Sequence, residues 1–412
     1  MQTTEATVLP KIRLDKWPTL ILLSSSELLA MGVWFSASSV VPALTSAWNL
    51  TDSGRAWLTM SVQIGFVVGA LGSAILNLPD RVPAARLFAV SAILAALCTA
   101  MIPFAADGLA IALPLRFFTG LFLVGVYPVG MKIMATWTTR DRGLGIGLLV
   151  GALTLGNALP HLINAFSSFE NWEFVLHLSA VLAFAGGLIT WIFITEGPER
   201  AATPPFRWDY IGKILRERDL VMANLGYLGH MWELFAMWTW LPLFLHDSFI
   251  QRGASAATAG LAAFLVIGAG GPGSLIAGQI ADRIGRTTTT IAAMAISGAC
   301  ALLVGQLYGG PNIWLFALCL IWGFAVVADS AQFSASVSEL SPKEYSGTAL
   351  TLQTSLGFLL TLVTIRLIPT LQTLVGWEWA FAFLALGPFM GIWAMNALRQ
   401  SPSAGKLAGG RG

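Results

Sequence analysis

Apolar runs long enough to cross a bilayer recur twelve times along the chain, each ended by charge, proline or a cluster of glycines. A hydrocarbon core is crossed by about 20 helical residues. The runs cover residues 18–44, 54–78, 84–106, 109–136, 143–167 and 172–195, then 220–246, 256–281, 287–308, 311–337, 346–373 and 377–398. This pattern predicts an all-α membrane protein of twelve transmembrane helices. Between the sixth and seventh runs the composition changes abruptly, and ten of the 24 residues from Glu196 to Asp219 are charged. The expected domains are therefore a six-helix bundle at 18–195, a linker at 196–219 and a second bundle at 220–398, flanked by termini at 1–17 and 399–412. Within the linker, Trp208, Ile211, Ile214 and Leu215 recur at helical spacing. They predict a short helix lying on the membrane surface, with an irregular solvated loop as the alternative.

The two halves repeat. The first span reads Glu27-Leu-Leu-Ala-Met31-Gly-Val-Trp34 and the seventh reads Glu233-Leu-Phe-Ala-Met237-Trp-Thr-Trp240, five of eight positions agreeing at an offset of 206. Asp80-Arg81 after the second span matches Asp282-Arg283 after the eighth, and Arg142-Gly143 matches Ser346-Gly347. Each half holds an even number of spans, so both copies share one orientation. Such a parallel repeat places a site at the interface between its copies.

Composition fits lipid as the main solvent: 56% of residues are apolar and 11% charged, against about a quarter charged in soluble domains. Of the 23 Lys and Arg, 18 lie in the termini or in and beside the loops of one side, which sets both termini in the cytoplasm. Arg55 and Arg252 fall outside. Lys11, Arg13 and Lys16 precede an apolar stretch too long for a signal peptide, and it lacks a cleavage site. Cys98, Cys300 and Cys319 lie inside apolar spans without metal spacing, as small hydrophobes. No cofactor or nucleic-acid partner is expected, and no nucleophile, phosphate loop or hydrolytic motif points to an enzyme.

Gly278-Gln-Ile-Ala-Asp282-Arg283-Ile-Gly285-Arg286 resembles the loop signature GxxADRxGR of the major facilitator superfamily, between the second and third helices of a half. The first-half copy keeps Asp80, Arg81 and Arg86, with Pro83 in place of the turn glycine. The resemblance implies that these six charged residues form a cytoplasmic gate, the aspartates bonding to a helix start and to basic residues of the other half. Arg116-Phe-Phe-Thr-Gly120 resembles the RxxxG pattern of the drug and proton antiporters in the family, which implies a pairing of Arg116 with Glu27. Gly147, Gly151, Gly156, Asn157 and Pro160 resemble the antiporter motif GxxxGPxxGG only loosely. Their structural reading is close helix packing, as it is for Gly270, Ser274 and Gly278.

An ionisable group in a membrane core costs about 3 kcal/mol or more, so each needs a partner or a purpose. Glu27 and Glu233 occupy matching mid-membrane positions, and the resemblance implies that their helices flank a central cavity. His230, Glu233 and Met237 share a helix face. His titrates near neutral pH, so His230 with Glu233 is a candidate proton relay; a soft metal site with Met31 is the alternative. Asp329, with Gln332 less than a turn away, lacks an acidic counterpart and is a candidate for coupling or solute choice. Its structural reading is a bond to Lys132 or to a neighbouring helix. Trp34 and Trp240 are candidate aromatic walls. Asn157 and His161 are candidate polar contacts of the fifth span. Arg366 is a candidate anion contact or a side chain reaching outward to the interface.

The expectation is a monomeric secondary transporter in a bacterial inner membrane, moving a small solute by alternating access, coupled to protons, with export of a drug or organic cation preferred. Transport of a small organic or inorganic anion, or a non-transporting receptor or assembly factor, are the alternatives.

Overall fold

The structure is a computed structural model and describes residues 14–138, 142–167, 171–199 and 206–412, all helix, turn or loop. Arg142 and Gly143 begin a helix, but their matched turn lies largely outside the described residues. Ten of the twelve predicted spans recur as helices long and apolar enough to cross a membrane, with ends within three residues of those expected.

The other two carry the matched glutamates. The first predicted span, 18–44, is interrupted: a helix runs Lys16–Met31, residues 32–37 leave the helical ladder, and a short 3-10 turn, Ser38–Val40, leads into the helix Val41–Trp48. The seventh is one helix of 34 residues, Arg218–Gln251. At 1.5 Å per residue it is about 50 Å long and overshoots a 30 Å hydrocarbon core. Its Trp, His, Asn, Tyr and Glu residues make it less apolar than the other spans.

Packing reproduces the repeat. The first span packs on the fifth and sixth, and the seventh on the eleventh and twelfth. Second meets fourth as eighth meets tenth, and third meets sixth as ninth meets twelfth. Between halves the second packs on the eleventh and the fifth on the eighth, two contacts exchanged by a twofold. This is the architecture of two parallel helical repeats facing each other.

Glycines set the closest crossings. A Cβ at Gly120 would stand 2.0 Å from the Val62 carbonyl oxygen, and one at Gly323 would stand 1.9 Å from that of Val266. The same crossing is thus built twice. Gly151 lies against Gly271, Gly147 against Leu275 and Gly156 against the Leu28 carbonyl, so the glycines of the fifth span are spent on packing against the eighth and first. Gly323→Ala is expected to force the eighth and tenth spans apart at a cost of about 1–3 kcal/mol, typical of overpacking. A melting temperature in detergent equal to wild type would show that the crossing can relax.

One face carries the linker and the tail. The linker helix exists, Trp208–Ile214. Its buried side differs from the expected stripe: Tyr210 and Ile214 are buried, while Trp208 and Leu215 are exposed. Tyr210 stacks on Tyr345 at 4.0 Å between ring centres and holds the helix against the start of the eleventh span. Beside it, Arg207 pairs with Asp209 at 2.9 Å, and that bond holds the pKa of the Asp209 carboxyl below its ordinary value. The tail turns back under the second half. Ala408 N–H donates to Glu339 (3.0 Å), Thr287 N–H to the Gly412 carbonyl (3.3 Å), and Arg411 to the Asp282 carbonyl.

Candidate functional site

The break in the first span has a defined cause. Arg116, fully buried in the fourth span, donates to the carbonyls of Val33 (2.8 Å) and Leu58 (3.2 Å), to the Ser36 hydroxyl (3.4 Å) and to the carbonyl of Trp34. Carbonyls that leave a helix need other donors, and a guanidinium offers five in a fixed fork. The Arg116–Glu27 pairing implied by the family resemblance is therefore absent: Arg116 is spent on backbone.

Glu27 is fully buried, and among the described residues neither of its oxygens has a hydrogen-bond partner. It fits because the fourth span presents bare backbone there; a Cβ at Gly130 would lie 2.6 Å from Glu27 Oε2. Tyr127 of the same span is the neighbouring titratable group. The matching Glu233 is also buried, but Trp322 Nε1 donates to one oxygen (2.7 Å) and Ser297 Oγ to the other (2.9 Å). Trp322 and Ser297 stand 206 residues after Arg116 and Ser91, the same offset that separates the two acids. The expected contact between the acid and the fourth helix of a half is thus made in the second half by an indole. Trp322 and Ser297 escaped the sequence reading; the offset itself was the signal that could have found them.

His230 does not pair with Glu233 as the shared helix face predicted. Its Nδ1 lies 2.8 Å from Asp329 Oδ1, both side chains buried. Asp329 sits between the helices Asn312–Ala328 and Ser330–Leu340, at a break in the tenth span. The fourth span breaks at the equivalent place, between Leu109–Leu123 and Tyr127–Trp137. Lys132 is not the partner of Asp329; it bonds Asp80 and the Pro79 carbonyl (2.6 Å). Gln332 accepts from Arg286 (2.8 Å), whose guanidinium also grips both oxygens of Glu339 (2.8 and 2.5 Å).

Of the gate residues, Asp80 pairs with Lys132 and Arg286 with Glu339, each pair tying helices within one half, and Arg81, Arg86, Asp282 and Arg283 are exposed. Among the described residues no ion pair joins Asp282 to the other half.

At the centre, Trp34, Phe35 and Phe66 of the first half meet Phe235, Trp238 and Phe358 of the second, with neighbouring ring centres 4.6–6.2 Å apart. Trp34 was foreseen, and the rest of the cluster follows from tertiary packing. The indole N–H groups of Trp34 and Trp238 have no described partner. Trp240 lies elsewhere, donating to the Ile365 carbonyl (2.9 Å). Met31 and Met237 are buried in the core, Met31 against Gly156.

On the face opposite the linker, a cleft of about 690 Å³, its open mouth included, lies between the halves. Trp240, His161, Asn164, Arg55 and His246 line it. Asn157, one turn from His161, is buried with its Oδ1 unpartnered among the described residues. Arg366 is exposed and outside the cleft. Arg55, Asn164 and His246 were not singled out from the sequence, because each stands near a span end where polar residues are ordinary.

The family model described as Major Facilitator Superfamily matches residues 23–364 and 248–411. The niacin transporter NiaP of Acinetobacter baylyi is 24% identical over 346 residues, 72% of this chain and 76% of that protein. A probable 4-methylmuconolactone transporter of Cupriavidus pinatubonensis is 25% identical, with 74% and 72% covered. The glycerol-3-phosphate transporter of Bacillus subtilis is 22% identical, with 76% of each covered. Among solved structures, a point mutant of the nucleoside transporter NupG superposes with a TM-score of 0.71 at 15% identity, over 92% of this chain and 99% of that one. A bacterial homolog of the human lysosomal transporter Spinster, inward-facing and unoccupied, gives the same score at 13% identity, over 94% and 99%. With the repeat, the paired helix crossings and a family match running across both halves, the chain belongs to the Major Facilitator Superfamily and is an integral membrane protein of a transporter family.

Proposed function

We propose that this protein moves a small organic solute across the membrane by alternating access, driven by protons. One observation carries the reading: Glu27 is a buried carboxylate left without a hydrogen-bond partner among the described residues, where its repeat counterpart is fully bonded. A buried polar group without a partner demands an explanation, and in a membrane core an ionisable one is a functional site by default. Glu27 takes up and releases the proton. His230 and Asp329 form a second proton-carrying pair in the other half. The aromatic cluster is the barrier that parts as the halves rock about their second–eleventh and fifth–eighth contacts. The relatives named above, transporters of niacin, 4-methylmuconolactone and glycerol-3-phosphate, support a small metabolite as solute in preference to a drug. They also leave the non-transporting alternative without support.

The face with the linker and tail is assigned to the cytoplasm, since basic residues collect there, in the inner membrane of a bacterium. One chain supplies both halves and acts as a monomer.

The test is uptake by proteoliposomes of a radiolabelled panel of organic acids, nucleosides and amines, with an imposed pH gradient. Accumulation of one solute is expected to collapse at least tenfold when a protonophore dissipates the gradient. Undiminished accumulation would overturn proton coupling. His230→Gln is expected to lower gradient-driven uptake and leave solute exchange at equal pH intact; equal loss of both would assign the His230–Asp329 pair to folding alone.

A further inference from the structure

We infer that the cleft opposite the linker is a recognition site for an organic anion carrying a carboxylate or a group of similar shape, held by Arg55, His161 and Asn164. The inference rests on the transporter reading and names its solute class. Among the described lining residues Arg55 carries the one full charge, and no Asp or Glu is among them. Arg55 keeps its place through Thr45, to which its Nε donates (3.1 Å), and Asp52, which takes Nη1 (3.2 Å). Those bonds leave the N–H groups of Nη2 for a third acceptor.

Deeper in, His161 is 2% exposed, lines the cleft and has no described partner at Nε2. A buried imidazole nitrogen without a described partner calls for an explanation, and a ligand atom admitted when the cleft opens would supply it. Asn164 is held by its bond to the Ser39 carbonyl (2.9 Å) at the end of the broken first span. The cleft therefore joins the two halves' moving parts: its walls come from the first, second and fifth spans on one side and the seventh and eighth on the other. Trp240, Leu243 and Val41 supply apolar surface for the body of the solute. A cation would find Arg55 there, paired with Asp52, and no carboxylate among the described lining residues. This reverses the preference for organic cations drawn from the sequence.

The experiment uses three ligands of one shape and different charge: benzoate, benzamide and benzylamine, with nicotinate as a second anion. Binding to the purified full chain is read by tryptophan fluorescence and by thermal shift. Benzoate and nicotinate are expected to bind at least tenfold more tightly than benzamide, and benzylamine more weakly still. Arg55→Gln and His161→Ala are each expected to weaken anion binding about tenfold at unchanged melting temperature. His161→Gln, which keeps a polar head, restores part of it. Because His161 is buried and its alanine variant can fail to fold, the half-exposed Arg55 decides that case. Equal binding of the three charge types, no binding by any, or wild-type affinity in Arg55→Gln overturns the inference. Anion binding with uptake indifferent to the pH gradient would uphold this site and defeat proton coupling. Proton-driven transport with unselective binding would do the reverse.

Discussion

Arg116→Leu is expected to lower the stability of the protein severely, by at least about 4 kcal/mol. The arithmetic is local. Hydrogen bonds to a charged group contribute about 1.5–3 kcal/mol each, and Arg116 makes them to the Val33 and Trp34 carbonyls in the break and to the Leu58 carbonyl of the second span. With leucine, the carbonyls of the break lose their donor inside an apolar environment where none can be borrowed from water. Residues 32–37 must then re-form helix or lose order. Re-forming helix would turn Trp34 and Phe35 away from the aromatic cluster. Arg116→Lys keeps the charge but not the fork, so it is expected to fall between the two. The measurement is the unfolding midpoint in detergent together with the monodisperse fraction after purification. A leucine variant as stable as wild type would mean that the break stands without its clamp, and the role would pass to Asn164 and the serines.

Glu27→Gln is expected to leave the fold intact and to lower uptake driven by a pH gradient at least tenfold, with exchange at equal pH preserved. The first half of that statement follows from the absence of described partners: no bond is lost when the carboxylate becomes an amide. Glu233 behaves oppositely. Glu233→Leu leaves the Trp322 indole N–H without an acceptor and is expected to cost about 1–3 kcal/mol. Glu233→Gln is expected to be mild, since its carbonyl can serve Trp322 and its amide can donate to Ser297. Paired stability and uptake measurements on the four proteins check this. If Glu27→Gln retains gradient-driven uptake, the proton site lies elsewhere, and His230–Asp329 becomes the first candidate.

How legible this was depended on the range of the interaction concerned. Ten span positions could be read to within three residues, because crossing a bilayer is a property of about 20 consecutive side chains. The break in the first span could not, since its cause lies 83 residues away in Arg116. Helical spacing put His230 and Glu233 on one face correctly, yet sharing a face does not make two side chains partners. The nearest groups came from other helices: Asp329 for His230, and Trp322, 89 residues distant, for Glu233.

The superfamily signature named the fold and pointed to a gate, but its aspartates and basic residues were expected to join the halves. In the structure Lys132 and Glu339, neither part of the signature, bond Asp80 and Arg286 within each half. Long side chains reach whichever opposite charge the packing brings near.

By itself, then, the sequence determined the membrane as solvent, the repeat, the two matched glutamates and the family, all carried by local hydropathy or by short motifs at a constant offset. Tertiary structure alone decided that among the described residues one glutamate is bonded and the other is not, that Arg116 holds backbone in place of Glu27, and that a cleft lies between the halves. The physical reason is that a buried polar group is defined by its partners, and in a bundle of many helices those partners come from helices far apart in sequence.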